Sequence, residues 1–326
     1  MITLSLLLAC AGSPDKTGEP ADLDTSTPAD SSDPADSGDS GGGDTGAIDP
    51  LALAAEVSEP ELSATIEALS AFGTRHLEAD NHDEVRDYLV DRLEALGLPV
   101  EVDDFDVRGV PAGNIIARLD GEDPSRVWVF QAHFDSTSEL APEVAPGADD
   151  NASGVAAVLE AARLLRGVPL SESVWFVLTD AEEQGSRGSA HLVDELSAEG
   201  VAIQGVIAPD MIGYWPLEDG DAFDILGDED SEALVTGMAE VADALGVASK
   251  TWIEHDYCYG DDHTSWQEAG FPAISPMDCV EAHNVPSSGE DDGHYHSSTD
   301  LPDMVYLPFT ARVTGVIVAS LAVWAG

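Results

Sequence analysis

Apolar residues recur along this chain in two rhythms, and the rhythms alternate. Across residues 60–72 and 84–98 they return every three or four positions, the spacing of a helix with one buried stripe. Val127–Ala132 is instead a nearly unbroken apolar run, the pattern of a strand covered on both faces, and it stops at His133. Ala152–Leu165 returns to helical spacing, with Val155, Val158, Leu159, Ala162 and Leu165 on one stripe. A second buried strand follows at Val174–Leu178, a helix at Leu192–Ala198 and a third strand at Val201–Ala208. Another helix is predicted over Ser231–Leu245, with short strands near Thr251 and Ala273. Such alternation predicts one α/β domain of three αβα layers, its mixed, mostly parallel sheet carrying helices on both faces. The closing run, Met304–Trp324, holds Pro308, Thr310, Arg312, Thr314 and Ser320 and spaces Val313, Val316, Ile317, Leu321 and Trp324 as a helix packed on a sheet.

The buried strands share one property that bears on chemistry. Each runs out, at or just beyond its carboxyl end, into histidine or acid: His133 after the first, Glu182 and Glu183 after the second, Asp210 after the third. In open α/β sheets ligands gather outside these ends, where loops from several strands converge. Residues nearly eighty positions apart in the chain can therefore meet.

Composition separates the first fifty residues from the rest. Ser13–Asp49 is built almost wholly of Asp, Ser, Thr, Pro, Gly and Ala. It cannot bury enough surface to offset its ordering entropy, so residues 11–50 are expected to be a disordered acidic tether. Met1–Ala9 is apolar and ends at Cys10 in Leu7-Leu8-Ala9-Cys10, which resembles a bacterial lipoprotein signal with Cys10 as the lipidated residue. The expectation is an exported protein held at the outer membrane or cell surface by that lipid, with a periplasmic or secreted form as the alternative. Residues 51–326 then form the folded domain, expected as a monomer.

The formal net charge is −52, and Lys250 is the single lysine beyond the tether. A surface so acidic argues against nucleic acid and anionic lipid as partners, leaving the anchor as the only membrane contact. Cys258 and Cys279 are the two remaining cysteines. In an exported protein they are expected to pair; two buried thiols are the alternative.

Three acidic strings carry the chemistry: His133-Phe134-Asp135-Ser136, Pro146–Gly154 around Asp149-Asp150, and Ala181-Glu182-Glu183-Gln184-Gly185. Zinc takes imidazole nitrogen and carboxylate oxygen, and paired zincs usually share a bridging carboxylate. With Asp210 and His296 the chain offers a full set. Asp150 can bridge, His133 and Asp210 can complete one metal, and Glu183 and His296 the other. Asp135, two residues from His133, is suited to orient its imidazole. Glu182 is left over and can take a proton from water as general base.

Together with Asp210-Met211-Ile212-Gly213-Tyr214 and His296-Ser297-Ser298-Thr299-Asp300, these strings resemble the ordered signature of the co-catalytic dizinc exopeptidases of clan MH, secreted bacterial leucyl aminopeptidases above all. The likeness runs from about residue 60 to 325 and implies the phosphorylase/hydrolase-like fold and two Zn2+. It also implies peptide substrates, Asp150 rather than Asp149 as the bridge, Glu182 as the base, and His133, Glu183, Asp210 and His296 as the other ligands. His283 and His294 compete with His296, which the Ser-Ser-Thr-Asp behind it favours. His263 is expected to make structural hydrogen bonds, and His76, His82, His191 and His255 to serve surface or packing roles. The chain departs from the family near the substrate pocket, where Cys258 stands alone in a loop that carries a tight disulfide in relatives. Met211, Tyr257 and Tyr259 are the pocket candidates there, a tyrosine hydroxyl being able to meet the tetrahedral intermediate.

Rival readings follow from the same residues. Glutaminyl cyclases share the fold but work with one zinc, carboxypeptidases of the clan differ in the peptide end they require, and an inactive acidic lipoprotein would have lost a ligand or the base. Metal count, blocked peptide ends and a chelation-sensitive chromogenic assay separate them.

Overall fold

The computed structural model describes residues 49–214, 222–253, 261–278 and 294–326. In chain order the elements are α1 (Pro50–Ala55), α2 (Glu59–Ser70), α3 (His82–Ala95), β1 (Val100–Val107), β2 (Val110–Leu119), β3 (Asp123–His133), α4 (Ala152–Leu165), β4 (Glu172–Thr179), α5 (Arg187–Glu199) and β5 (Ala202–Ile207). They continue with β6 (Phe223–Gly227), α6 (Glu232–Leu245), β7 (Ser249–Ile253), α7 (Asp262–Glu268), β8 (Ala273–Met277) and α8 (Leu307–Ala325).

The strands form one sheet in the order β1-β2-β4-β3-β5-β8-β6-β7. Its centre is parallel, through β4–β3, β3–β5 and β5–β8, while β1–β2, β2–β4 and β8–β6 are antiparallel. The period of two sorts each central strand between two cores. Phe130, Ala132, Phe176 and Leu178 face a core built with α2, α3, α4, α6 and α8; Val127, Val129, Trp175 and Val177 face a smaller one with α5 and α7. A sheet covered on both sides explains why these strands read as continuous apolar runs.

The last helix, α8, is long and apolar enough to cross a membrane by length and composition, yet it packs on α1, α4 and α6, and its Phe309, Val313, Val316, Ile317 and Leu321 are buried. The expected packed helix is what the fold contains.

The hydrophobic pattern did not reveal the β1–β2 hairpin. Its first strand, VEVDDFDV, is acidic and only partly buried at the sheet edge, so no apolar run marks it. Charge on an edge strand discourages pairing with other chains. A two-residue turn, Arg108-Gly109, joins the strands with both φ values positive, at 55° and 95°, as such a tight hairpin requires. Helices α1 and α7 and strand β6 are too short to carry a period.

Candidate metal centre

Three parallel strands, β4, β3 and β5, lie side by side and deliver the site from one end of the sheet. His133 closes β3, Asp180 to Glu183 follow β4, and Asp210 lies three residues past β5, bridged to Met277 at the end of β8. Asp150 sits immediately before α4, whose Asn151 cap accepts the Gly154 N–H at 2.9 Å and donates to the Pro209 carbonyl at 2.9 Å. A methyl group at Gly154 would meet that cap oxygen at 2.3 Å, so only glycine fits there. The Asp150–Asn151 peptide is cis.

These elements bring five predicted residues into two adjoining groups. His133, Asp150 and Asp210 form one, and Asp150, Glu183 and His296 the other, each with its donor atoms within 4.8 Å of one another. Asp150 belongs to both. Its Oδ1 lies 3.3 Å from His133 Nε2 and its Oδ2 3.3 Å from His296 Nε2. Asp210 Oδ1 is 3.4 Å from His133 Nε2, and Glu183 Oε2 is 3.0 Å from His296 Nε2. Asp149 faces elsewhere: its oxygens accept the N–H groups of Gly213 at 2.7 Å and Tyr214 at 3.1 Å.

The donor atoms suit a metal better than they suit one another. His133 Nε2, Asp210 Oδ1 and Glu183 Oε1 are buried and have no hydrogen-bond partner. Buried polar atoms left so are costly, and three around one carboxylate fit a cation that would occupy them. Nitrogen with carboxylate oxygen is the donor set of zinc.

Titration reflects the crowding. Burial pushes the carboxyls of Asp210 and Glu183 up, to about 8 and about 7. Burial works against charge on His296 too, but Asp150 and Glu183 prevail and hold it at about 10; His133 is likewise raised, chiefly by Asp210. Asp150 is driven the other way, its burial outweighed by the two imidazoles, well below the usual carboxylate range. Metal must therefore displace protons from these ligands. Zinc affinity is expected to fall at least tenfold per unit as pH drops from 8 to 6, since His296 stays protonated below about 10 and the carboxylates around His133 favour its protonated form as well. Chelator competition across that range measures it, and a flat profile would contradict it.

Around the ligands stands a layer of supporting bonds. Asp135 accepts the backbone N–H groups of Glu182 at 3.0 Å and Glu183 at 3.2 Å. The expected orienting of His133 comes chiefly from the Asp135 carbonyl, 3.2 Å from Nδ1, with the carboxylate at 3.5 Å. Asp300 accepts the N–H groups of Asp149 at 2.9 Å and Asp150 at 3.0 Å. Glu182 belongs to neither ligand group; its Oε1 accepts from Ser186 Oγ at 3.0 Å. Burial, with Asp262, Asp210 and Glu183 nearby, raises its carboxyl well above the ordinary value against the pull of His133. Left-handed backbone in non-glycine residues gathers here, at Ala181 (φ 59°), Ser186 (51°), Met211 (48°) and His296 (50°). Such strain persists where surrounding bonds over-determine the loop.

The structure adds residues that the pattern did not single out. Tyr295 stacks on His296 with ring centroids 3.8 Å apart and stays partly exposed at the rim of the site. His82 takes the packing role of the two expected for it, buried and stacked on Phe134, and it adds a hydrogen bond from its ring, Nε2 lying 2.9 Å from Asp180 Oδ2. Arg75 is wholly buried beneath the loops. Position in the chain gave no clue to either, because neither follows a strand. His294 turns to Thr299 Oγ1 at 2.8 Å, and His263 pairs with Asp261 at 3.0 Å. A third His–acid group, Asp103, His191 and Glu195, lies on β1 and α5, with His191 stacked on Phe105. Met211 is buried against Leu226 and Met277. Tyr257, Tyr259, Cys258, Cys279, Cys10, His255 and His283 lie outside the described residues.

Residues 114–321 match the model of peptidase family M28. The chain belongs to peptidase family M28. An M28 chain is a zinc-dependent peptidase, and the expectations of fold and of hydrolytic chemistry hold. A probable zinc metalloprotease of Pyrenophora tritici-repentis is 32% identical over 327 residues, which cover 83% of this chain and 67% of that one. Leucine aminopeptidase 1 of Trichoderma harzianum is 26% identical over 275 residues, covering 79% and 66%. Among solved structures, the LapA aminopeptidase of Legionella pneumophila superposes with a TM-score of 0.72 at 20% identity, over 85% of this M28 chain and 75% of its own. The glutaminyl cyclase of Porphyromonas gingivalis shares the fold too, with a TM-score of 0.66 at 22% identity, over 81% and 98%.

Proposed function

We propose that this M28 peptidase is an aminopeptidase working with two zinc ions, held by His133 and Asp210 on one side, Glu183 and His296 on the other, and Asp150 between them. The observation that carries this reading is the division of the Asp150 carboxylate. One oxygen faces each imidazole, inside two ligand groups that share no other residue. A single zinc would leave one of these two groups without a metal, which is why the hydrolase reading is preferred.

When bound at such a pair, zinc acidifies a water and polarises the scissile carbonyl. The chain's own groups do the rest. Glu182, kept free of both ligand groups and raised by burial, takes the proton of the attacking water and passes it to the leaving amine. The Asp135 carboxylate holds the backbone of Glu182 and Glu183 together, so base and ligand keep a fixed offset. Tyr295, stacked on His296, is the residue we assign to supply a hydroxyl where the carbonyl oxygen gains charge. Replacing Tyr295 by Phe keeps the stacking and removes that donor; kcat is expected to fall on the order of 10²-fold with KM little changed. An unaltered kcat would remove the hydroxyl from the mechanism.

A panel of aminoacyl nitroanilides, their N-acetylated forms and C-amidated peptides tests the activity. Hydrolysis of free-amine substrates, lost on acetylation and on chelation but indifferent to C-amidation, is the expected outcome. Dependence on a free carboxyl end would make it a carboxypeptidase, and ring closure of N-terminal glutamine would make it a cyclase. Export with a lipid on Cys10 belongs to the same proposal, supported by the Leu7-Leu8-Ala9-Cys10 string. Mass measurement of the mature N-terminus tests it.

A further inference from the structure

The guanidinium of Arg75 has no exposed surface, and it touches none of the five ligands by hydrogen bond. It donates instead to three carbonyls on two loops: Nε to Phe134 at 2.7 Å, Nη1 to Pro146 at 2.5 Å and Nη2 to Gly147 at 2.8 Å. Phe134 is the residue after His133, and Gly147 lies three before Asp150. The fork therefore ties the strand end that carries one ligand to the loop that carries the shared one.

Its own backbone is fixed as firmly. The Arg75 N–H donates to Ser136 Oγ at 3.2 Å, and Ser136 Oγ donates to the Ala145 carbonyl at 2.8 Å. The Ala145 N–H in turn donates to the Gly73 carbonyl at 2.9 Å. His82 Nδ1 lies 3.1 Å from the Arg75 carbonyl, and His82 Nε2 meets Asp180, two residues before Glu182. Side chain and backbone of one arginine thus reach all three strings that bear the site.

We propose that Arg75 is the positioning residue that sets the spacing between His133 and Asp150, and through it the geometry in which the shared carboxylate serves both metals. The inference rests on the two-zinc aminopeptidase reading. A bland role as a buried loop clip is the competing account. Two features argue for more. All three acceptors are carbonyls within four residues of a ligand, and the fork direction of a guanidinium holds them at fixed angles as an ammonium cannot. The cation also lies within reach of Asp300, Asp150, Asp135 and Glu183, and burial leaves its pKa at about 10, so it stays charged at neutral pH.

Arg75→Lys keeps the charge and loses the fork; Arg75→Gln keeps two donors and loses the charge. Both are purified with saturating zinc, their melting followed, and kcat, KM and zinc affinity measured per folded, metal-loaded chain. The proposal expects Arg75→Lys to fold, to bind zinc on the order of 10-fold or more weakly, and to lose on the order of 10²-fold in kcat with KM within about threefold. Arg75→Gln is expected to lose kcat at least as strongly. A loop clip alone predicts a lowered melting temperature with wild-type kcat in the folded, loaded fraction, and that result overturns the proposal. Failure of both variants to fold in zinc also overturns it, since Arg75 would then be a folding residue. Absence of zinc-dependent aminopeptidase activity in the unaltered protein would instead sink the underlying reading.

Discussion

Glu182→Gln is expected to leave the zinc content and melting behaviour unchanged while kcat falls about 10²- to 10⁴-fold, the usual range for a positioned acid–base group. The separation of effects follows from geometry. Glu182 contributes to neither ligand group, and the bond it accepts from Ser186 Oγ needs only an oxygen that glutamine retains. The neighbouring Glu183 behaves oppositely, with Oε2 3.0 Å from His296 Nε2 and Oε1 buried without a partner. Glu183→Gln should therefore weaken zinc binding as well as turnover. Two adjacent acids with different defects would be hard to explain by general disturbance of the loop. Full activity in Glu182→Gln would remove it from proton transfer, and loss of zinc there would reassign it as a ligand.

Asp150→Asn is expected to bind at most one zinc per chain and to lose on the order of 10³-fold or more in kcat, because Lewis-acid stabilisation of several kcal/mol is withdrawn. The amide keeps the volume and one acceptor oxygen, so the cap on α4 should survive. Asp149→Asn is the matching control. Asp149 accepts from Gly213 and Tyr214 and faces neither imidazole. Its loss of one acceptor should cost about 1–3 kcal/mol of stability without changing the zinc count. Zinc quantification by atomic absorption on both variants distinguishes the adjacent aspartates. Equal zinc content in the two would contradict the shared-carboxylate geometry.

Much of this site was legible in the sequence because strand ends are legible. Val127–Ala132 and Val174–Leu178 are buried on both faces, so their apolar runs are continuous and their ends are sharp, which placed His133 and the Glu182-Glu183 pair. Parallel pairing then puts those ends side by side. The choice of Asp150 over Asp149 was not available from spacing. It depends on which carboxylate the Gly213 and Tyr214 N–H groups capture, a contact between loops over sixty residues apart. The bonds of Arg75, His82 and Asp300 could not be read for a related reason: Arg75 and His82 bond to backbone carbonyls and Asp300 accepts from backbone N–H groups, and backbone partners leave no trace in residue type. The β1–β2 hairpin escaped because a partly buried, acidic edge strand shows no apolar rhythm.

The central claim is that two metals share Asp150, and the most direct measurement is a zinc titration of the metal-free protein. Bound zinc and aminopeptidase turnover are followed together as zinc is added. The account predicts binding that ends at two zinc per chain, with full turnover only as the second is taken up, and an Asp150→Asn variant that stops at one or none. Full turnover at one zinc per chain, with no second ion bound, would contradict it.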